Sequence, residues 1–265
     1  MMPKLQCVIF DWAGTTVDYG AISPVKAFMQ AFKSAGIEVT EEETRIPMGM
    51  LKRDHIKTML AMPRIRDLWV DAYQKEPDED DVERIYQSFE PSLFSVLEKC
   101  CDLKPYVLEA VELLRSQGIK IGSTTGYTAS MMKVVTECAK KQGYEPDCLV
   151  TPEETDNLGR PFPYMIFRNM QKLGIKSVKH VMKIGDTLSD IKEAKHAGVF
   201  AVGVTQGSSI MGLSKDEWSA LSIIEQDKLN MKAAITFYEA GADFVINSLA
   251  DIQLAIKLFE SRKKK

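Results

Sequence analysis

The sequence predicts an α/β protein whose core is a doubly wound, Rossmann-like parallel sheet carrying an inserted α-helical cap domain. Three observations carry that expectation. Short apolar runs recur along the chain and end in Gly, Asp, Thr or Ser; amphipathic stretches alternate with them; and one long N-terminal stretch has no such run.

The strands come first. LQCVIF before Asp11, KIGST before Thr125, CLVT before Pro152, HVMKIG before Asp186 and FAVGVT before Gln206 read as buried parallel strands, and DFVI at 243–246 as a late one. Residues 107–117, 130–142 and 189–197 are amphipathic and supply the crossovers, which are right-handed in sheets of this kind. From Ser23 to Leu97 the alternation stops. Ser23 followed by Pro24 reads as a helix N-cap and first helical position, and Gly36 as a stop. Further helices are expected over 50–60, 64–75 and 78–98, the last interrupted or kinked at Pro91. The expected division is a core of 1–20 and 100–265 and a helical cap of 21–99.

Composition narrows the functional classes. With 265 residues and 45% hydrophobic content the chain can bury a proper core. A net charge of -3 favours neither nucleic acid nor an anionic membrane surface, and the basic run at 262–265 reads as a solvated tail. Cys7, Cys100, Cys101, Cys138 and Cys148 are odd in number and lack C-x-x-C spacing. That argues against disulfides or a zinc site and for a reducing, cytoplasmic setting. Cys100 and Cys101 have no further physical account in the sequence. No apolar run approaches the roughly eighteen residues of a membrane span, and the N-terminus does not read as a signal peptide.

Sites in doubly wound sheets lie beyond the carboxyl ends of the strands. Four segments there carry chemistry. FDWAGTT offers Asp11 and a tight turn at Gly14, Thr15 and Thr16 able to aim amides at an anion. STTGYT offers Thr125 and Gly126, GRPFP places Arg160 in a Pro-bounded loop, and KIGDTLSD brings Asp186 and Asp190. Asp11 and Asp186, from different strands, suit a shared hard cation such as magnesium. Alone, an aspartate after a strand is most often a turn former or cap, and Arg160 or Lys52 a surface charge. Their order as a set is the stronger signal.

That order, FDWAGTTVD, TTGYT, GRPFP and GDTLSD with a helical insert between the first two, resembles the haloacid dehalogenase superfamily of phosphotransferases. Within it the sequence is similar to the phosphonoacetaldehyde hydrolases over essentially its whole length, through Ala13, PMGMLKRDHI and the STTGYT and GRPFP loops. Phosphatases of the superfamily usually carry a second Asp at the Ala13 position to protonate the leaving oxygen. A carbon leaving group needs another electron sink, and a lysine imine provides one.

The resemblance implies Asp11 as nucleophile and Lys52 as the Schiff-base amine, acting on a small phosphonate. His55 lies three residues on, so on the same helical face, with a packed histidine as the alternative. Met48 and Gly49 form a floor or hinge, or Met48 is ordinary core. Thr125, Gly126 and Arg160 hold phosphonate oxygens, and Tyr127 orients substrate or water or simply packs. Magnesium is implied at Asp11, the Ala13 carbonyl and Asp186, with Asp190 orienting them from behind. Hinges are expected at Gly20 and 100–105. A homodimer through the caps is implied, with Met62, Trp69 and Tyr73 supplying an apolar contact or filling the cap's own core. The competing readings are a phosphate monoester phosphatase or phosphomutase on the same scaffold, and a catalytically silent binder.

Overall fold

The computed structural model describes residues 4–262. Six parallel strands, β1 (Cys7–Phe10), β2 (Lys120–Thr124), β3 (Cys148–Val150), β4 (Val181–Gly185), β5 (Phe200–Val204) and β6 (Phe244–Ile246), form one sheet in the order β3-β2-β1-β4-β5-β6. In register, Cys7 lies opposite Lys120 on one side and Val181 on the other. The six expected strands are all present.

Period-two alternation sorts the side chains between the two faces. Val8 and Phe10 enter the larger core with Ile121, Met182 and Ile184, whereas Cys7 and Ile9 enter a second one with Val181, Ile191 and Phe237. Both faces are therefore covered, which explains why the strands read as continuous apolar runs.

Helices α1 (Ile22–Ser34), α2 (Glu41–Arg45), α3 (Lys52–Leu60), α4 (Pro63–Tyr73) and α5 (Glu79–Leu97) follow β1 with no strand among them. α1 and α3 both pack on α5. The remainder are α6 (Val107–Ser116), α7 (Ala129–Lys141), α8 (Tyr164–Leu173), α9 (Leu188–Ala197), α10 (Lys215–Ala220), α11 (Ile223–Glu239) and α12 (Ile252–Ser261). The 214–240 segment, without a role in the sequence reading, becomes α10 and α11, and Phe237 of α11 closes the second core.

Several local expectations are corrected. Ser23 is not the N-cap of α1; Ala21 precedes the helix in a left-handed conformation at φ 47, and Ser23 is already inside it. Capping passes to Asp18, whose carboxylate accepts the amides of Ile22 and Ser23 at 3.1 Å each and the Ser23 hydroxyl at 2.5 Å. α3 starts at Lys52 and not at 50, with Leu51 extended ahead of it. α5 is not interrupted at Pro91; the helix runs through it, with Phe89 and Leu93 buried on either side. Helix α2 was not anticipated; it is short and rests on a Thr40–Glu43 capping box.

Trp69 is wholly buried and stacks on Tyr73 at 4.4 Å, and Tyr73 donates to the Ala35 carbonyl at 2.7 Å. Trp69 thus fills the interior of the helical block and is not available for a contact between chains. Arg262 is not a solvated tail residue but packs on Phe200 and Phe259, 4.1 and 4.2 Å from their centroids. The rest of that run, 263–265, and the N-terminal 1–3 lie outside the described residues. Among the described residues no helix is long and apolar enough to cross a membrane.

Candidate active site

β1 delivers Asp11 beyond the sheet edge, where its amide still donates to the Ile184 carbonyl of β4 at 3.0 Å. The chain then turns tightly: the amides of Thr15, Thr16 and Val17 all point at the Trp12 carbonyl, at 3.0, 2.8 and 3.0 Å. Gly14 sits at φ 85, and a Cβ there would fall 2.1 Å from Asp186 Oδ2. Glycine is what lets the carboxylate after β4 approach the turn after β1. Asp186 is further held by the Thr15 hydroxyl at 3.0 Å and the Ser209 amide at 2.8 Å.

Asp11, Asp186 and Asp190 are all buried, and each offers an oxygen within 4.8 Å of the others. Burial, with the charges of Asp11 and Asp190, pushes the Asp186 carboxyl well above the usual range, and Lys104 opposes this. Three buried carboxylates with hard oxygen donors, one of them driven toward protonation by its neighbours, fit a hard cation. Asp190 is the most heavily engaged. Its Oδ2 accepts from the Thr187 amide at 3.2 Å and hydroxyl at 2.6 Å. Its Oδ1 lies 2.9 Å from Lys183 Nζ and 3.2 Å from Arg160 Nη1, ion-pair distances off the hydrogen-bond line.

Arg160, only 2% exposed, donates from Nη2 to Asp11 Oδ1 at 2.6 Å and to the Thr124 hydroxyl at 2.8 Å. Burial works against its charge, but the carboxylates of Asp11, Asp190 and Glu193 outweigh it and hold the guanidinium above its ordinary value. The sequence placed Arg160 near phosphate; the structure adds that it clasps the nucleophile candidate.

Lys52 opens α3 and is buried, its Nζ 4.6 Å from the Tyr127 ring centroid and 5.7 Å from that of Phe28. Burial lowers its pKa to about 7; Asp11 resists the shift and Arg160 adds to it. His55, one turn on, stacks on Phe28 at 3.7 Å, and its ring nitrogens make no well-aligned hydrogen bond among the described residues, the Thr44 backbone being a weak polar neighbour. Burial first, then Lys52, lowers its pKa well below the usual value, so the ring is neutral. His55 does not reach the cavity itself.

Asp11, Ala13, Met48, Lys52, Tyr127 and Arg160 line one cavity of about 20 Å³ together with Thr125 and Gly126. That is room for about one water. A Cβ on Gly126 would fall 2.6 Å from the Met50 carbonyl and 2.9 Å from that of Gly49, so this glycine lets the helical block rest against the sheet end.

Sequence reasoning missed four buried charges that support the residues of this site without lining its cavity. Lys104 donates to the Gly14 and Gln206 carbonyls, and burial lowers it to about 8 against the pull of Asp186, Asp11 and Asp18. Asp18 caps α1, and Lys183 and Glu193 stand behind Arg160. Only Lys183 gave a signal, as a lysine inside an apolar strand; a lone Lys104 or Asp18 in a loop gives none.

Residues 5–198 match the family of haloacid dehalogenase-like hydrolases. A curated phosphonoacetaldehyde hydrolase from Lysinibacillus sphaericus (strain C3-41) is 51% identical, the match spanning 96% of this chain and 94% of that protein. The chain belongs to the haloacid dehalogenase-like hydrolases, in the branch of the phosphonoacetaldehyde hydrolases. Another member, from Bacillus cytotoxicus, is 45% identical over 98% of each chain. The crystal structure of a phosphonoacetaldehyde hydrolase-like protein from Oleispira antarctica superposes with a TM-score of 0.94 at 38% identity, covering 99% of this chain and 95% of that one. Membership makes the chain a hydrolase, with a buried carboxylate cluster that could hold a metal ion.

Proposed function

We propose that the chain hydrolyses the carbon–phosphorus bond of phosphonoacetaldehyde to acetaldehyde and phosphate, through an imine on Lys52 and a phosphoryl group on Asp11. One observation carries the reading: a buried amine brought down to about 7 lines the same cavity as an aspartate at a strand end. Relatives sharing about half the residues bear that activity as their name.

The neutral Lys52 amine adds to the aldehyde and, with loss of water, forms an imine that is then protonated. Asp11 attacks phosphorus while the neighbouring Arg160 meets the phosphonate oxygens; the P–C electron pair moves into the protonated imine, giving an enamine. Protonation at carbon and hydrolysis return Lys52 and release acetaldehyde. Water then cleaves the aspartyl phosphate. Thr125 and Gly126 hold phosphonate oxygens, Tyr127 shields the amine from water, and Met48 closes the floor. His55 packs behind Lys52 as a neutral ring, and Arg160 is the cation whose charge helps keep the amine neutral. The ion of this reading is magnesium, held by Asp11, the Ala13 carbonyl and Asp186 with Asp190 behind; when bound it neutralises phosphoryl oxygens. Ala13 cannot protonate an alkoxide, which weighs against ester phosphatase or mutase chemistry.

The cavity shared by Lys52 and Asp11 is narrow, about 20 Å³, and in this reading residues 21–99 act as a cap that opens from the core of 1–20 and 100–265 to admit substrate, hinging at Gly20 and 100–105. A homodimer through the caps belongs to the same reading, without Trp69 in its contact; gel filtration checks it. An odd number of cysteines without C-x-x-C spacing fits a reducing cytoplasm.

Borohydride added with substrate, followed by peptide mass analysis, is expected to fix a two-carbon adduct on Lys52. Turnover without such an adduct overturns the reading.

A further inference from the structure

Behind Arg160 lie two buried charges, Glu193 and Lys183, that the reaction above does not use. Glu193 Oε2 receives Arg160 Nε at 3.0 Å and the Thr124 hydroxyl at 3.1 Å, and lies 3.6 Å from Lys183 Nζ. Lys183 Nζ in turn donates to the Thr124 hydroxyl at 2.9 Å and pairs with Asp190 at 2.9 Å. Lys183, Asp190 and Glu193 are wholly buried. Such a network is poor value for stability, because apolar side chains of like volume serve as well or better. Glu193 Oε1, moreover, has no hydrogen-bond partner among the described residues.

What the network does accomplish is geometric. A guanidinium is a planar fork with three nitrogens. Here Nε is taken by Glu193, Nη1 faces Asp190, and Nη2 alone is aimed at Asp11. The Thr124 hydroxyl fixes the same nitrogen from the sheet side. Two anchors on different atoms set both the position and the roll of the plane, which one contact cannot do.

We propose that Glu193 is a positioning residue for the C–P cleavage step, with Lys183 holding it in register. It fixes the Arg160 plane so that Nη2 meets the phosphonate oxygens at the point where Asp11 attacks. A lysine at position 160 has no Nε for Glu193 to hold, so the device is specific to arginine. The inference rests on the proposed C–P cleavage, and its test separates the two.

Glu193→Gln, Arg160→Lys and the double variant are compared with the parent enzyme in magnesium and phosphonoacetaldehyde, reading phosphate release and the borohydride-fixed adduct on Lys52. Imine formation does not need Arg160 to be aimed, whereas cleavage does. The expected result for Glu193→Gln is parental adduct yield with kcat lower by about 30-fold or more, since misplacement of about 1 Å costs on the order of 100-fold. In the Arg160→Lys background the same change is expected to alter kcat by less than about 3-fold. Phosphate release within about 3-fold of parent, an equal fall in adduct, or the same factor in both backgrounds overturns the assignment. Absence of adduct in the parent enzyme refutes the C–P reading instead. If Glu193→Gln leaves too little folded protein, the charge-balanced pair Lys183→Met with Glu193→Gln carries the same measurement, with the same expected loss of kcat.

Discussion

Lys52 has exchanged water for the rings of Tyr127 and Phe28, and that exchange sets its protonation. Imine formation needs the neutral amine, so kcat/KM is expected to rise with pH, bend near 7 and level above it, in a pH–rate profile. The same shift carries a stability cost with a definite sign. The folded pKa lies below the unfolded one, so the penalty is fully present below about 7 and is relieved as pH rises toward 10.5. Lys52→Met is therefore expected to be more stable than the parent at pH 6, by on the order of a few kcal/mol, and to lose that advantage by pH 10, in denaturant titrations. Lys52→Arg is expected to abolish C–P cleavage while the fold survives, because arginine stays protonated; substantial residual cleavage excludes Lys52 as the amine. Legibility at this scale was uneven. Asp11, Arg160 and Asp186 each follow an apolar run or sit in a Pro-bounded loop, so position marked them. Glu193 and Lys104 acquire meaning only through groups distant in sequence.

The strands were readable because both faces of the sheet are covered, so each is an unbroken apolar run bounded by a turn former. Helix starts were less so. Ser23–Pro24 has the composition of a cap, but Asp18, five residues earlier, reaches the same amides with a carboxylate and wins. α3 begins two residues late, and the Gly49 and Met50 carbonyls ahead of it lie where a Cβ on Gly126 would fall. Gly126→Ala is accordingly expected to keep the cap from seating, lowering kcat/KM by about 10- to 100-fold with a small change in melting temperature. Steady-state kinetics beside calorimetry check both halves.

Across the whole molecule, one crowded carboxylate cluster joins the first and fourth strands, the helix after β4 and, through Arg160, the loop before α8. A bound cation is expected to raise the melting temperature, the gain following RT ln(1 + [L]/Kd), or about 2.7 kcal/mol at 100-fold excess over Kd. Thermal scans with and without magnesium or a chelator measure it, and Asp186→Asn is expected to erase the difference. The layered core and its helical insertion could be read from periodicity alone. The closeness of the two parts could not, because it depends on backbone at 49–50 meeting a glycine some 75 positions later.

The clasp of Arg160 on Asp11 has a protective side. A bare carboxylate in a dry pocket would invite any stray electrophile, and here Oδ1 of Asp11 is held by a guanidinium. On the proposed reaction, an anionic ligand is expected to compete with Oδ1 for Nη2, so that the ligand's own charge would release the carboxylate that acts on it.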